Sequence, residues 1–362
     1  MKIGIVGMPN AGKSSLFNAL TKSGAEAANY PFTTIEPNVA VVPVEDDRMK
    51  QIAEQMGASE IVYDHIDFHD IAGLVAGAHK GEGLGNKFLA NIRETDAIVH
   101  VVRAHDDQNI IHPDGSVNPL RDIETIETEL LMADLEQAER RIERVRKQAR
   151  GGNDAEAIAE LAWLEELIPA LNDGKPARMV PVPEDHPNVV KTLSPLTAKP
   201  VLFVANVDEN DASGAVPTAI AEHAAAMGAV AVAVSSRLEA ELVEMDDEEA
   251  AAMREEMGFA ESGLQRIAHG AFQLLDLITF FTVGSGVRGQ SWHLRRGLTV
   301  WHAAGEIHTD IQQGFVRADV VGWDELLEAG GYSQARDKGT LRTEGRDYVM
   351  QDGDVITVKH TN

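Results

Sequence analysis

Five short hydrophobic runs along the chain predict buried β-strands. Each run is rich in β-branched residues and is bounded by turn residues or by helical stretches. The runs lie at 2–6, 66–69, 97–102, 200–205 and 229–234. Short strands that are apolar on both faces are typical of parallel sheets covered by helices. The pattern therefore predicts an α/β fold built on a parallel sheet.

A different periodicity interrupts this series between the third and fourth runs. Apolar residues recur at alternating steps of three and four over 135–149 and again over 157–171, with Gly151-Gly152-Asn153-Asp154 between them. This rhythm predicts two antiparallel helices that pack along a coiled-coil seam. The predicted boundaries are 1–121 and 198–278 for the α/β domain and 122–197 for the helical hairpin inserted into it.

The last part of the chain, 279–362, follows a third pattern. Glycines punctuate short segments of strand-like composition, such as 297–302 and 354–360, and one helix is predicted at 323–328. Nine Lys and Arg against eleven Asp and Glu make this part far less acidic than the rest of the chain. We predict a small α+β domain here.

The charge balance of the whole chain restricts its partners. The 362 residues include 32 Lys and Arg against 58 Asp and Glu, a formal net charge of -26. This balance excludes a uniformly basic nucleic-acid coat, so no DNA partner is expected and any RNA contact must be local. An acidic excess of this size also fits a protein kept soluble in high salt.

The absence of cysteine and of a long apolar run restricts the chemistry that the protein can perform and its expected location. The sequence has no cysteine, which excludes disulfides, thiolate zinc sites, iron-sulfur clusters and cysteine nucleophiles. No apolar run is long enough to cross a bilayer, and residues 1–7 have the pattern of a strand rather than of a signal peptide. We expect a cytoplasmic protein with no membrane partner.

The segment from Gly7 to Ser14 fits the phosphate-loop pattern G-x-x-x-x-G-K-[ST], between a predicted strand and a predicted helix. In that setting backbone N–H groups face phosphate oxygens, Lys13 reaches the β and γ phosphates, and Ser14 binds Mg²⁺. The alternative, a glycine-rich turn with a chance lysine, does not explain the strand–helix context. The expected nucleotide-binding residues of the loop are Asn10, Ala11, Gly12, Lys13, Ser14 and Ser15.

Two further elements have the order and spacing of nucleotide-sensing segments. Asp70-Ile71-Ala72-Gly73 follows a predicted strand, so Asp70 is expected to hold Mg²⁺ through water and Gly73 to sense the γ phosphate. Between this element and the phosphate loop, Thr34 lies in a Pro-Thr-rich segment and is expected to complete the Mg²⁺ shell as part of a switch. A plain surface turn is the alternative for that segment.

These three elements, in this order, resemble a translation-factor-class P-loop GTPase domain, and the wider sequence resembles the Obg-related YchF-type ATPases. The resemblance spans nearly the whole chain and implies a P-loop NTPase G domain, a helical coiled-coil hairpin insertion and a C-terminal TGS domain of β-grasp shape. It also implies association with the large ribosomal subunit and its rRNA. The matching segments are 4–7, 31–38, 70–75, 81–86, 109–112, 304–310 and 344–348.

The base-recognition element departs from that of a GTPase. GTPases of this class present Asn-Lys-x-Asp, whereas this chain has Asn206-Val207-Asp208-Glu209 after a predicted strand. The lysine is absent, and Glu209 is one methylene longer than the aspartate that binds guanine. An Asn amide can pair with N6 and N7 of adenine. We therefore expect Asn206, with Val207 and with Ser235 from the following loop, to bind the base and to favour ATP over GTP; a degenerate guanine site is the alternative.

The residue that positions the attacking water is not the usual glutamine. That position is occupied by Leu74, which can neither donate nor accept a hydrogen bond. His112 is the expected catalytic residue, because a neutral imidazole can orient water and because the family motif Asn-Ile-Ile-His recurs at 109–112. His79, a potassium ion and a partner protein are the alternatives.

Two clusters of cations are candidates for RNA contact. Arg288, Arg295 and Arg296 flank Trp292 and His293, which combines charge with stacking surface. The other cluster is in the predicted hairpin, where interleaved glutamates also permit intrahelical ion pairs, and both interpretations remain open. Its members are Arg140, Arg141, Arg144, Arg146, Lys147 and Arg150.

The sequence therefore predicts a ribosome-associated, Mg²⁺-dependent nucleotide hydrolase and switch, which converts ATP, and less readily GTP, to ADP and phosphate. A GTP-specific regulatory GTPase is one alternative. A nucleotide-controlled RNA-binding or ribosome-binding module with negligible turnover is another. A small-molecule kinase is disfavoured because it has no evident use for the Thr34 switch and the Asp70–Gly73 sensor.

Overall fold

The computed structural model describes residues 1–27, 38–71, 84–107, 112, 115–151, 154–211, 214–257 and 261–361. The strands are β1 (Lys2–Val6), β2 (Val39–Pro43), β3 (Ile61–Val62), β4 (His65–Asp70), β5 (Ala97–Arg103), β6 (Val201–Asn206), β7 (Val230–Val234), β8 (Leu277–Thr282), β9 (Gly289–Arg295), β10 (Phe315–Gly322), β11 (Arg342–Glu344) and β12 (Asp354–His360). The helices are α1 (Lys13–Ala27), α2 (Asp47–Met56), α3 (Leu84–Arg93), α4 (Pro119–Ala149), α5 (Ala155–Asn172), α6 (Asn188–Leu193), α7 (Thr218–Ala226), α8 (Ser236–Leu242), α9 (Asp247–Glu256), α10 (Gly263–Leu274), α11 (Val300–Ile307), α12 (Thr309–Gln313), α13 (Trp323–Ala329) and α14 (Tyr332–Lys338).

The chain divides into two compact units, the first of which comprises Met1–Val42 and Ile66–Leu274. Its sheet has the strand order β2-β4-β1-β5-β6-β7. The pairings of β1 with β4 and β5, and of β6 with β5 and β7, are parallel. β1, β5 and β6 are almost entirely buried because helices cover both faces of the sheet. This arrangement confirms the predicted α/β fold.

The helical hairpin consists of α4 and α5. Asn118 caps the N-terminus of α4 and Asp154 that of α5, each by accepting a hydrogen bond from a backbone N–H of the first turn. The seam between the helices contains Ile142 and Val145 from α4 and apolar residues from α5. The other buried members of this core are Ala138, Ala157, Trp163, Leu164, Leu167, Leu171, Ala177, Val180, Val189 and Leu193.

Two buried carboxylates fix the position of the hairpin. Glu160 accepts two hydrogen bonds from the Arg141 guanidinium, at 2.6 and 2.8 Å, and so joins α5 to α4. Asp134 accepts from the backbone N–H groups of Leu196 and Thr197 and from the Thr197 hydroxyl, at 2.7 to 2.8 Å. The returning chain is therefore attached to α4 where it re-enters the sheet.

The second unit comprises Pro43–His65 and Leu275–Asn362. Its sheet has the order β11-β10-β12-β8-β9-β3. The pairs of β10 with β11 and β12, and of β8 with β9, are antiparallel, whereas β8 with β12 and β3 with β9 are parallel. The mixed pairing agrees with the predicted α+β character. The more specific description of this unit as a TGS domain stays a prediction.

The predicted boundaries differ from these units at residues 43–65. The sequence prediction placed this segment in the α/β domain, but the structure packs it with the C-terminal unit. Met49 and Ile52 of α2 share a core with Phe281 and Val355, and Arg48 binds Asp352 at 2.7 Å. A short amphipathic helix has the same pattern whichever sheet it covers, so its own sequence does not reveal this partner.

A second difference concerns residues 297–302, which were predicted as a strand. The helix α11 begins within this segment at Val300. Thr299 caps that helix together with His302 in a reciprocal capping box, while Val300 and Ala303 are buried. The strand predicted at 354–360 and the helix predicted at 323–328 coincide with β12 and α13. Among the described residues, no helix combines the length and the apolar composition needed to cross a bilayer.

Candidate nucleotide-binding site

The phosphate loop connects β1 to α1. Asn10 has φ 62° and Gly12 has φ 101°, so both adopt the left-handed conformation that helps curve a loop into an anion-binding nest. The loop is closed by a hydrogen bond from the Ala11 N–H to the Met8 carbonyl at 3.2 Å. A side chain at Gly12 would collide with the Asn206 amide. The local geometry therefore requires glycine at this position.

Lys13 is the first residue of α1, and its ammonium lies 3.4 Å from the Met8 carbonyl. Burial lowers the pKa of Lys13 below its usual range, although the nearby Asp70 carboxylate acts in the opposite direction. The ammonium is thus partly desolvated, and the Asp70 carboxylate balances its positive charge only in part. A cation in this state gains stabilisation from an anion brought next to it.

The oxygen donors expected to hold Mg²⁺ come from two neighbouring strand ends. Asp70 ends β4, which pairs with β1 in the register Ile5 to Asp70. Ser14 follows Lys13 in the first turn of α1, and its side chain is exposed. Hydroxyl and carboxylate oxygens are hard ligands of the type that Mg²⁺ prefers, so the residues present fit this ion. Gly73 and Thr34, the other residues assigned to the metal and the γ phosphate, lie outside the described residues.

Asn206 occupies the end of β6 and is 5% exposed. Its Nδ2 donates to the Ala11 carbonyl at 3.0 Å, and its Oδ1 accepts from the Ser236 N–H at 2.9 Å. The residue that the sequence assigned to the base therefore also joins the phosphate loop to the start of α8. One Nδ2 hydrogen is not used by these two bonds.

The other two residues assigned to the base are buried beside Asn206. The side chain of Val207 is 3% exposed and belongs to the core of the first unit. Its backbone N–H donates to the Val234 carbonyl at 3.1 Å. Ser235 caps α8 by accepting from the Leu238 N–H at 3.4 Å. In this structure both residues shape the wall of the site rather than project a polar group from it.

His112 is 7% exposed, and its Nε2 lies 2.8 Å from Oδ2 of Asp122, a buried residue in the first turn of α4. The carboxylate fixes the orientation of the ring. To orient an attacking water, the imidazole would have to leave this partner or receive the water in its buried position. Leu74 and His79 lie outside the described residues.

The turn after β5 contains contacts that the sequence analysis missed. Arg103 is almost fully buried, and its guanidinium donates to the carbonyls of His105 and Asp107, at 3.1 Å in both cases. The His105 ring nitrogen lies 2.9 Å from the Asn206 carbonyl. The only signal available in the sequence was an arginine at the end of a buried apolar strand. These contacts fix the start of the segment that leads to His112.

The aromatic and basic cluster around Trp292 is not arranged as an RNA-stacking surface. Trp292 stacks on Phe280 and donates its indole N–H to Thr282 at 2.9 Å. His293 is buried. Arg288 pairs with Glu60 at 2.7 Å, and Arg296 pairs with Asp276 at 3.0 Å. Trp292 and His293 are neighbours along β9 and lie on opposite faces of the sheet, so they do not form one stacking surface, and Trp292 is half-buried. RNA contact by this cluster stays a prediction.

The parallel sheet and the phosphate loop between β1 and α1 define the class of this protein as a P-loop NTPase. Residues 2–141 match the protein-family model MMR_HSR1, described as "50S ribosome-binding GTPase". Residues 277–361 match YchF-GTPase_C, described as "Protein of unknown function (DUF933)".

Curated relatives identify the family within that class. The chain is 47% identical to "Ribosome-binding ATPase YchF" of Bacillus subtilis over 98% of this chain and 97% of the relative. It is also 47% identical to the protein of the same name from Escherichia coli O157:H7, over 98% of both chains. The chain belongs to the YchF family.

Solved structures agree with this assignment. The structure of the Schizosaccharomyces pombe YchF GTPase superposes with a TM-score of 0.88 at 36% identity, covering 99% of this chain and 97% of that one. A GTP binding protein from Pyrococcus horikoshii, with a TM-score of 0.64 at 21% identity and complete coverage of both chains, shares the fold.

Proposed function

We propose that this chain is a Mg²⁺-dependent nucleotide hydrolase that prefers ATP to GTP and associates with ribosomes according to its nucleotide state. The observation that carries the proposal is the phosphate loop, with its left-handed Asn10 and Gly12 and the partly desolvated Lys13 beside Asp70. A nest of N–H groups next to such a cation suits a polyphosphate. The names of the curated relatives, which are ribosome-binding ATPases, support the same activity.

The phosphates would be held by the backbone N–H groups of the loop and by the Lys13 ammonium. The metal would be held by the Ser14 hydroxyl, by Thr34 and, through water, by Asp70. When bound, Mg²⁺ neutralises charge on the phosphate oxygens. Gly73 would donate its N–H to the γ phosphate. The phosphate-loop contacts would be made by Asn10, Ala11, Gly12, Lys13, Ser14 and Ser15.

The base would lie against the end of β6. Asn206 retains one Nδ2 hydrogen, which suits an acceptor such as N7 of adenine. Val207 and Ser235 would contribute the packed wall behind the base. Glu209 lies 2.9 Å from Arg237, an ion pair that restrains its carboxylate. We propose on these grounds that guanine cannot form here the two hydrogen bonds to a carboxylate that it forms in GTPases.

The attacking water would be oriented by His112. Its Asp122 partner, 2.8 Å from Nε2, keeps the ring in one orientation. The imidazole would have to leave its buried position beside Asp122 to reach the nucleotide. Slow turnover follows, because a buried ring must first change its environment.

Ribosome association would couple this cycle to translation. The large subunit and its rRNA are the proposed partners, and the proposed location is the cytoplasm because ribosomes work there. The nucleotide-dependent segments are those of Thr34 and Gly73, as in switch GTPases generally.

The decisive experiment is calorimetric titration of the protein with ADP and with GDP in the presence of Mg²⁺, followed by measurement of phosphate release from ATP and GTP. We expect ADP to bind at least as tightly as GDP and ATP to be the faster substrate. A strong preference for GDP would overturn the proposed base recognition. Binding without measurable phosphate release would overturn the proposed hydrolysis.

A further inference from the structure

The helix α4 presents a strip of cations on the side that faces away from α5. Residues 140–150 contain five Arg and one Lys but only one Glu. Among them Arg144, Lys147 and Arg150 are exposed and recur every three residues, so they lie on neighbouring turns. At about 100° per residue, Arg144 and Lys147 are opposite the α5-facing residues of α4. We call Arg144, Lys147 and Arg150 the hairpin strip.

Ion pairing separates the hairpin strip from the other cations of the same stretch. Arg140 pairs with Glu136 at 2.5 Å, and Arg146 pairs with Glu143 at 3.1 Å. Arg141 is bound to the buried Glu160. No side chain of the hairpin strip forms an ion pair or hydrogen bond with any residue that the structure describes. Intrahelical pairing, one of the two interpretations left open by the sequence, therefore explains only Arg140 and Arg146, whereas Arg141 pairs with a residue of α5.

The chemistry of the strip fits a phosphate backbone better than a protein surface. A protein interface usually needs a buried apolar or aromatic centre, but the residues of α4 next to the strip are charged or amide side chains such as Arg146 and Gln148. Contact with phosphates needs only exposed cations that can displace condensed counterions. The three cations span about 9 Å along the helix axis, at about 1.5 Å per residue.

Because the chain as a whole is strongly acidic, the position of this strip indicates where a polyanion can bind. A protein of charge -26 repels a polyanion over most of its surface. Contact is therefore favoured where cations are concentrated and carry no internal carboxylate partner. The hairpin strip meets both conditions at the C-terminal end of α4, about three turns beyond Asp134.

We propose that the hairpin strip binds the phosphate backbone of structured RNA, and that on the ribosome it contacts rRNA. This inference rests on the proposed ribosome association and names the surface that carries it. Because phosphate contacts carry no sequence information, the strip would set affinity and orientation rather than base specificity.

The test compares two double variants of the full chain that remove the same charge. Arg144→Gln with Lys147→Gln removes two cations of the strip, and Gln maintains helix propensity. Lys175→Gln with Lys191→Gln is the matched control, because both lysines are exposed and lie outside the strip. Binding to a short RNA duplex is measured by fluorescence anisotropy over a salt series, and binding to purified large ribosomal subunits by sedimentation.

We expect the strip variant to lose about tenfold or more in affinity for the duplex and the subunits, and its log–log salt slope to fall by about 2, roughly one for each phosphate contact. The control should bind like the unmodified chain. ATP turnover without RNA should be unchanged in both variants. Equal loss in the two variants would overturn the inference, because it would indicate a general charge effect.

Two further outcomes separate this inference from the proposed function. If the unmodified chain and the strip variant bind subunits equally well, the strip is not the contact, although ribosome association stands. If the unmodified chain binds no subunits, the proposed ribosome association itself fails. Binding to subunits that depends on the strip, without binding to the duplex, would identify a protein partner and would overturn the RNA assignment.

Discussion

The side-chain amide of Asn206 is hydrogen-bonded to the Ala11 carbonyl of the phosphate loop, with Nδ2 and the carbonyl oxygen 3.0 Å apart. The same amide accepts a hydrogen bond from the Ser236 N–H. A residue at the end of β6 thereby stabilises a loop that follows β1, with β5 between the two strands. The proposed base contact of Asn206 is thereby coupled to the phosphate loop through one side chain.

Replacement of Asn206 by alanine should therefore lower stability and nucleotide affinity together. Two buried backbone groups lose their partner, so we expect a loss of about 2–4 kcal/mol in the free energy of unfolding. Urea denaturation and ADP titration measure the two effects. Asn18→Ala, on the exposed side of α1, is the control and should change stability by less than about 0.5 kcal/mol. Unaltered ADP affinity in Asn206→Ala would contradict the coupling.

Lys13→Ala and Ser14→Ala should each abolish binding of Mg-nucleotide without unfolding the protein. Loss of the ammonium removes phosphate charge compensation, and loss of the hydroxyl removes a metal ligand. Because burial lowers the pKa of Lys13, its removal should not destabilise the nucleotide-free fold. Calorimetry with ATP and Mg²⁺ checks binding, and thermal unfolding checks the fold. Lys22→Ala, on the exposed face of α1, should behave like the unmodified protein.

The role of His112 can be tested by comparing turnover with affinity. His112→Ala should lower kcat for ATP several-fold or more with nearly unchanged ATP affinity, because the contact to water exists mainly in the transition state. His112→Gln should retain part of kcat, since an amide can still orient water, and His79→Ala should have little effect. The defect of His112→Ala should persist with ribosomes or potassium present. Full activity under both conditions would show that another group positions the water.

The pair of His223 on α7 and Glu127 on α4 predicts a pH dependence of stability. The hydrogen bond to Glu127, 3.1 Å from Nε2, raises the pKa of His223 above its ordinary value of 6.5. The stabilisation is therefore fully present below that ordinary value and is lost as pH rises through the higher folded-state pKa. The difference in unfolding free energy between the unmodified chain and His223→Gln should shrink from pH 6 towards pH 8.

A neighbouring histidine does not obscure that measurement. Burial lowers the pKa of His100 to about 3, so this ring is neutral in the folded state over the whole range. Its contribution to the pH dependence is common to both proteins and cancels in their difference. A stability difference between the unmodified chain and His223→Gln that does not change with pH would contradict the assignment of the pair.

The buried pair of Arg141 and Glu160 predicts a large effect on the hairpin. Arg141→Ala leaves the Glu160 carboxylate without its two hydrogen bonds, at a cost of about 2–3 kcal/mol in unfolding free energy. Arg140→Ala breaks the exposed pair with Glu136 and should cost less than about 1 kcal/mol. Chemical denaturation of the two variants measures the difference. Equal losses of unfolding free energy would show that the buried pair of Arg141 and Glu160 contributes no more to stability than the exposed pair of Arg140 and Glu136.

Local sequence determined the framework of this protein. The strands β1, β4, β5, β6 and β7 follow from short β-branched runs, because an apolar run bounded by turn residues has few other ways to be buried. The hairpin helices follow from apolar residues spaced three and four apart. The phosphate loop is also local, since its shape depends on Asn10, Gly12 and the start of α1.

Tertiary structure decided everything that depends on partners far apart in the chain. The segment at 43–65 joined the C-terminal unit because Met49 and Ile52 meet Phe281 there. Trp292 is half-buried and stacks on Phe280. Asn206 is hydrogen-bonded to Ala11, and Arg141 is hydrogen-bonded to Glu160. Arg144 pairs with no carboxylate among the described residues. A side chain's type is fixed by its codon, but its desolvation and its hydrogen-bond partner are fixed only when the chain has folded, because both depend on distance in space.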